Sequence, residues 1–145
     1  MARLTDSALE ATLLLVRVMK TVLIITDGSA ETAKAAAGIK TALKGYNITI
    51  KSASEFMGND LLPAEIFFLG CEKPGPDSFT YLEDMLKHIN LAGRRCGVFS
   101  SGSEKAAKYL AGLVKDSEAA LGPEHFIGSG DGIGKWAKNI AAGTF

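Results

Sequence analysis

The sequence contains few of the residue types that indicate metal sites, disulfide frameworks or acid–base catalysis. It has two cysteines and two histidines among 145 residues. Cys71 and Cys96 have neither the spacing of a metal site nor the number that a disulfide framework needs, which favours a reducing, cytoplasmic setting. His88 and His125 lie far apart and in no metal motif. We therefore expect no metal site and assign no catalytic residue.

The chain also lacks an excess of charge of either sign and any long apolar run. Its 16 Lys and Arg residues balance its 16 Asp and Glu residues, so the formal net charge is zero. No basic stripe indicates a nucleic-acid partner. The apolar run at 13–16 is too short to cross a membrane and lacks the flanks of a signal peptide. We predict binding to neither nucleic acid nor membrane, and the oligomeric state stays open.

The chain does contain enough apolar sequence for one folded domain. Hydrophobic residues make up 47% of it and charged residues 22%, which is typical of a globular domain with its own core. Met19, followed by Lys20, stands directly before the first predicted strand and looks like a natural start. We therefore divide the chain into an extension, 1–18, and a domain, 19–145. The extension is either an upstream misreading of the start or an added short helix that covers a sheet edge or makes a dimer contact.

Apolar strands alternate with helical stretches through the rest of the chain. Five strands and five helices in alternation predict an α/β sandwich of three layers, with a five-stranded parallel sheet covered on both faces. Gly45 and Gly93 are the expected ends of the first and third helices, and Asp77 or Ser78 is the expected cap of the third. The predicted strands are 21–26, 47–51, 65–70, 95–99 and 125–127, and the predicted helices include 31–44, 104–121 and a last one around Trp136.

Three loops follow strands at the edge where such a sheet binds ligands. They are loop one (26–32), loop two (70–78) and loop three (100–104), and they are rich in Gly, Ser, Pro or Cys. Ligands of doubly wound sheets bind beyond the carboxyl ends of the strands, where the strand order switches. With the order 2-1-3-4-5 these loops are neighbours, and one small ligand would touch all three.

Loop one has two possible roles. Gly28, Ser29 and Thr32 suit an anion, because backbone N–H groups and a helix N-terminus would point at it. Asp27 and Glu31 would repel that anion. In the other interpretation Ser29 is an ordinary helix cap, and each carboxylate stabilises the helix dipole by roughly 0.3–1 kcal/mol without any ligand.

From about 20 to 142 the chain resembles the flavodoxin family. The first loop of that family reads Ser/Thr-x-Thr-Gly-Asn-Thr and binds the phosphate of flavin mononucleotide (FMN). Loop one matches it with the hydroxyls of Ser29 and Thr32, whereas Asp27, Ala30 and Glu31 replace a hydroxyl residue, the glycine and the asparagine. Further matches are 68–71 with the Pro/Gly loop after it, 79–84, 91–99 and 136–138.

The resemblance implies a flavodoxin-like sandwich that binds FMN and passes electrons to a redox partner protein. The flavin would supply the chemistry, and the backbone N–H groups of 70–75 and 100–103 would tune its potential. The cofactor-binding residues that it implies are Asp27, Gly28, Ser29, Ala30, Glu31, Thr32, Cys71, Glu72, Lys73, Pro74, Gly75, Ser100, Ser101 and Gly102.

Departures from the family's pattern support a second hypothesis. Family members usually hold the flavin ring between aromatic residues of the second and third loops, but 72–76 and 100–107 contain none. Each such pair contributes about 0.5–1.5 kcal/mol beyond burial. The alternative is a flavodoxin-fold protein that has lost FMN and acts as a binding or assembly module. A third interpretation is a domain that borrows flavin from a partner.

Overall fold

The apolar strands form one parallel sheet in a computed structural model that describes residues 20–143 and 145. All of its strand pairs are parallel, and the strand order β2-β1-β3-β4-β5 confirms the prediction. The extension 1–18 lies outside the described residues. The strands are β1 (Thr21–Thr26), β2 (Asn47–Ser52), β3 (Ile66–Gly70), β4 (Arg95–Ser100), β5 (Ala120–Leu121) and β6 (Phe126–Ile127).

Helices cover both faces of the sheet. A 3₁₀ turn, Asp77–Phe79, leads into the third helix. Among the described residues, no helix combines the length and the apolar character that crossing a membrane requires. The helices are α1 (Ala30–Ala42), α2 (Gly58–Leu61), α3 (Thr80–His88), α4 (Glu104–Lys115) and α5 (Ile133–Ala142).

The central strand β3 is buried along its whole length, which explains its continuous apolar sequence. Successive side chains of a strand point to opposite faces. Phe67 and Leu69 accordingly join the core beneath α3 and α4, whereas Ile66 and Phe68 join the core beneath α1 and α5. The two cores cover both faces of the sheet, and the loops at its carboxyl edge start from these buried strands.

The fifth position of the sheet differs from the prediction, because two short strands share it. β5 pairs with the start of β4, and β6 pairs with its end. The predicted helix 104–121 is therefore too long: α4 ends at Lys115, and Glu118 adopts a left-handed φ of 65° before β5. Between the two strands, the Trp136 indole Nε1 donates a hydrogen bond to the Glu124 carbonyl at 2.8 Å. This bond attaches the segment that separates β5 from β6 to helix α5.

Three predicted helix boundaries are also wrong. α1 ends at Ala42, so Gly45, with a φ of 89°, lies in the following turn and is not the cap. Neither Asp77 nor Ser78 caps the third helix, since both lie inside the 3₁₀ turn and Pro76 precedes it. α3 ends at His88, five residues before Gly93.

Candidate functional site

Loops one, two and three meet at one edge of the sheet, because they follow the adjacent parallel strands β1, β3 and β4. We call this edge the carboxyl rim; it also includes the loops that follow β2 and β6. Direct contacts join the three loops. Asp27 Oδ2 accepts a hydrogen bond from Glu72 N at 2.8 Å, and Thr32 Oγ1 lies 3.3 Å from Ser101 Oγ. The rim therefore brings the predicted loops together as expected.

The Asp27 carboxylate lies inside loop one and is bound by the loop's own donors. Its Oδ1 accepts from Ser29 N at 3.0 Å and from Ser29 Oγ at 2.8 Å, while its Oδ2 faces Glu72 N. Gly28 makes this turn with a φ of 81°, a backbone conformation that favours glycine. A half-buried carboxylate thus accepts hydrogen bonds within the loop that leads into α1.

Asp27 stays ionised at neutral pH. Burial raises the pKa of its carboxyl group. Hydrogen bonds from the backbone of Glu72 and Ser29, and from the hydroxyls of Ser29 and Thr32, together outweigh burial and lower that pKa below 3.8. Loop one consequently carries a fixed negative charge of its own, next to the N-terminus of α1.

The hydroxyl groups of Ser29 and Thr32 in loop one lie within hydrogen-bond distance of other protein groups. Ser29 Oγ accepts from Thr32 N at 3.3 Å, which confirms Ser29 as the N-cap of α1. It also lies 2.8 Å from Thr32 Oγ1. Glu31, by contrast, is exposed in the first turn of the helix. The two carboxylates of loop one therefore differ: Asp27 is built into the loop, and Glu31 faces solvent.

Loop three is folded around the hydroxyl of Ser100. Ser100 Oγ accepts from the N–H groups of Gly102 and Ser103, each at 3.1 Å. The chain at Gly102 runs so close to loop two that a Cβ there would lie 2.3 Å from the Glu72 carbonyl oxygen. The N–H groups of Glu72, Gly102 and Ser103, which the resemblance assigns to a flavin ring, thus donate within the protein.

Cys71 is a structural thiol at the end of β3. Its side chain is fully buried in the core beneath α3 and α4. Burial, with a smaller effect from the charge of Asp27, raises the pKa of the thiol to about 12. The exposed part of loop two, 73–75, borders a shallow groove of about 390 Å³ that Asp27 and 72–77 line. Among the described residues, no three His, Cys, Asp or Glu side chains are grouped to hold a metal ion.

Among the described residues, the three aromatic side chains that follow loops two and three most closely do not replace the missing partners of a flavin ring. Phe79 is fully buried. Tyr109 donates to Glu83 Oε1, and its ring centroid lies 6.4 Å from that of Phe79. Tyr81 is 49% exposed, but its hydroxyl accepts from Gly58 N at 3.1 Å, which holds it beside the loop after β2.

Met57, which directly precedes Gly58 in the chain, is 61% exposed, so two exposed apolar residues lie near the contact between Gly58 and Tyr81 at the carboxyl rim. We call Met57 and Tyr81 the apolar patch. The sequence analysis did not identify this patch, because the two residues lie on different elements. Their proximity depends on the contact between Tyr81 and Gly58.

The residues present do not fit FMN. The carboxylate of Asp27 holds the position in loop one where the resemblance places a hydroxyl for the phosphate. Three N–H groups of loops two and three, those of Glu72, Gly102 and Ser103, donate within the protein. The loops also offer no aromatic face for the ring. The predicted site residues therefore lie at one rim, but their chemistry differs from that of a flavin site.

Comparison with known proteins establishes the fold. No family model and no curated protein matches the chain. A short-chain flavodoxin associated with a non-canonical PDU bacterial microcompartment superposes with a TM-score of 0.75 at 16% identity, over 88% of this chain and 100% of that one. Oxidised Flavodoxin 2 from Bacillus cereus gives 0.71 at 22% identity, over 87% and 99%. Fusobacterium nucleatum flavodoxin bound to flavin mononucleotide gives 0.68 at 14%, over 86% and 99%. The chain has a flavodoxin-like fold.

Proposed function

We propose that this chain is a flavodoxin-fold binding module that recognises a protein partner through its carboxyl rim and holds no FMN of its own. The observation that carries the proposal is the position of the Asp27 carboxylate. It accepts hydrogen bonds from Ser29 and Glu72 within the loop that would cradle a phosphate. The fold is thus retained, while loop one is filled by a side chain.

Electrostatics argue against a phosphate beside this carboxylate. Two unit charges of like sign 4 Å apart repel by about 4 kcal/mol at an effective dielectric constant of 20. That repulsion corresponds to roughly three powers of ten in affinity. The carboxylate of Glu31 is exposed and screened by solvent, so it adds little to this repulsion. No aromatic stacking in loops two and three offsets the repulsion.

The surface chemistry of the rim supports a protein partner with a cationic face. Residues 27–31, 53–59, 71–77, 101–105 and 128–134 contain seven carboxylates and two lysines. Complementary charge on a partner would speed the encounter and orient it. The exposed side chains of Met57 and Tyr81 lie beside these charges and offer an apolar anchor of the kind that dominates binding energy.

A second candidate function is an FMN-dependent electron carrier. One observation favours it: loops one, two and three meet at the switch in strand order, joined by the contacts of Asp27 with Glu72 and of Thr32 with Ser101. One of the similar solved structures is a flavodoxin bound to FMN. In that case Asp27 would have to turn out of loop one to admit the phosphate.

Analysis of the purified protein for bound flavin separates the two candidates. The protein should be colourless after gentle purification, and acid extraction should release no flavin into the supernatant. A yellow protein that releases FMN in stoichiometric amount would support the electron carrier and contradict the binding module.

Partner recognition is tested by quantitative capture from a lysate of the source cells. A variant with Glu72→Lys, Asp77→Lys and Tyr81→Ser should lose the captured partner, because it reverses the rim charge and removes the anchor. Lys44→Glu, at the opposite edge of the sheet, is the matched control and should keep it. Equal capture by both variants would place the binding surface elsewhere.

A further inference from the structure

We infer that Asp27 is the chain's own occupant of an anion position, and that a neutral residue in its place turns loop one into a binding site for a phosphate group. The inference rests on the proposed function in one respect, namely that the natural chain does not bind FMN. It goes further by assigning one residue as the determinant of that exclusion.

The donors around Asp27 are those that bind an anionic oxygen. The carboxylate receives the Ser29 N–H, the Ser29 hydroxyl and the Glu72 N–H at 2.8–3.0 Å. Charge-assisted bonds of this kind are shorter and stronger than neutral ones. Asp27 also stands two residues before the N-cap of α1, a helix of 13 residues, so its carboxylate lies near the positive end of that helix dipole.

The arrangement of these donors does not depend on Asp27 alone. Gly28 sets the direction of the turn through its φ of 81°, and the cap between Ser29 and Thr32 holds the start of α1. Thr32 is further fixed by its contact with Ser101 in loop three. Removal of the carboxylate therefore leaves these donors in place without an acceptor. A phosphate oxygen can then accept their hydrogen bonds.

Glu31 provides the matched control. It lies in the first turn of the same helix and carries the same charge, but its side chain is exposed. Replacement of Glu31 removes one negative charge from the region and leaves the anion position filled. A comparison of Asp27→Ser with Glu31→Ser therefore separates occupancy of the loop from charge alone.

The experiment measures binding of inorganic phosphate and of FMN to the full chain and to Asp27→Ser, Asp27→Thr and Glu31→Ser. Calorimetry follows both ligands, and FMN fluorescence gives a second readout for the flavin. The Asp27 variants should bind both ligands at least roughly tenfold more tightly than the natural chain, a difference of about 1.4 kcal/mol. Their melting temperatures should rise with phosphate concentration, whereas Glu31→Ser should behave like the natural chain.

Three results would overturn the inference. One is a pair of Asp27 variants that are folded by circular dichroism and gain no phosphate affinity. Another is an equal gain in Glu31→Ser, since charge alone would then suffice. The third is an Asp27 variant that stays unfolded at every phosphate concentration, because the donors would then not be preformed; recovery of folding by phosphate would support the inference. FMN binding by the natural chain would contradict the proposed function as well, which distinguishes the two failures.

Discussion

At the scale of single residues, Asp27 differs from the other carboxylates of the rim in the number of donors that it satisfies. It joins loop one to loop two through Glu72, and it sits beneath the cap of α1. The cap itself was predictable, because Ser29 stands directly before a helical stretch. The bond to Glu72 was not predictable, since it joins residues 45 positions apart and depends on strand order.

The pH dependence of stability tests the state of Asp27. Its folded-state pKa lies below 3.8, so its contribution is fully present above that value and is lost as the pH falls through the folded-state pKa. The difference in melting temperature between the natural chain and Asp27→Asn should be largest near neutral pH and shrink in acid. Asp77→Asn, at an exposed position, is the control. A difference that stays constant into acid would contradict the assignment.

The two cysteines should be inert in the folded protein. Burial raises the pKa of Cys96 well above its usual value, and burial with the charge of Asp27 raises that of Cys71 to about 12. Since the thiolate is the reactive form, a thiol reagent at mildly alkaline pH should label neither residue until denaturant is added. Labelling of either thiol in the native protein at the rate of free cysteine would contradict its burial.

At the scale of elements, the loops of the rim depend on close packing as much as on hydrogen bonds. The strands with long apolar runs, β1 and β3, were predictable to within a residue of their ends. The two-residue strand β5 was not, because it is too short to show alternation and Ala119–Leu121 continues the apolar pattern of α4. No Gly or Pro separates that helix from the strand.

Gly102→Ala should separate loop three from loop two. The added Cβ would lie 2.3 Å from the Glu72 carbonyl oxygen, and overpacking of this kind costs about 1–3 kcal/mol. Gly112→Ala is the control, because no described residue outside the adjoining helix backbone lies within 4 Å of a Cβ at that position. There alanine should stabilise the protein by about 0.5–1 kcal/mol. Urea unfolding measures both changes, and an unaffected Gly102→Ala would mean that the two loops do not touch.

Trp136 should stabilise the divided fifth position of the sheet. Its ring packs against Phe68, Phe99 and Phe126, and its indole bonds to the Glu124 carbonyl. Trp136→Phe removes this hydrogen bond and part of the ring, so we expect a loss of about 1–3 kcal/mol. Unfolding followed by circular dichroism measures it, with the exposed Lys135→Ala as control. Equal midpoints for the two variants would contradict this role.

At the scale of the whole molecule, the net charge is zero, but negative charge predominates at the carboxyl rim and positive charge at the opposite edge of the sheet. Parallel strands place the helix N-termini at the carboxyl rim, where carboxylates complement the helix dipoles. Residues 20, 41–46, 62–65, 87–95 and 114–119, at the opposite edge, contain six lysines and arginines and three carboxylates. The composition showed only the sum, because the separation depends on the fold. Such a molecule orients in the field of a charged partner.

An equilibrium titration of the natural chain with FMN, followed by flavin fluorescence, tests the central claim most directly. The claim is that the flavodoxin-like fold is retained while the Asp27 carboxylate occupies the anion position of loop one. It predicts that FMN fluorescence stays unquenched and that no saturable binding is seen up to high-micromolar FMN. Saturable quenching at one FMN per chain in the low-micromolar range would contradict the claim and make the chain an FMN-binding protein.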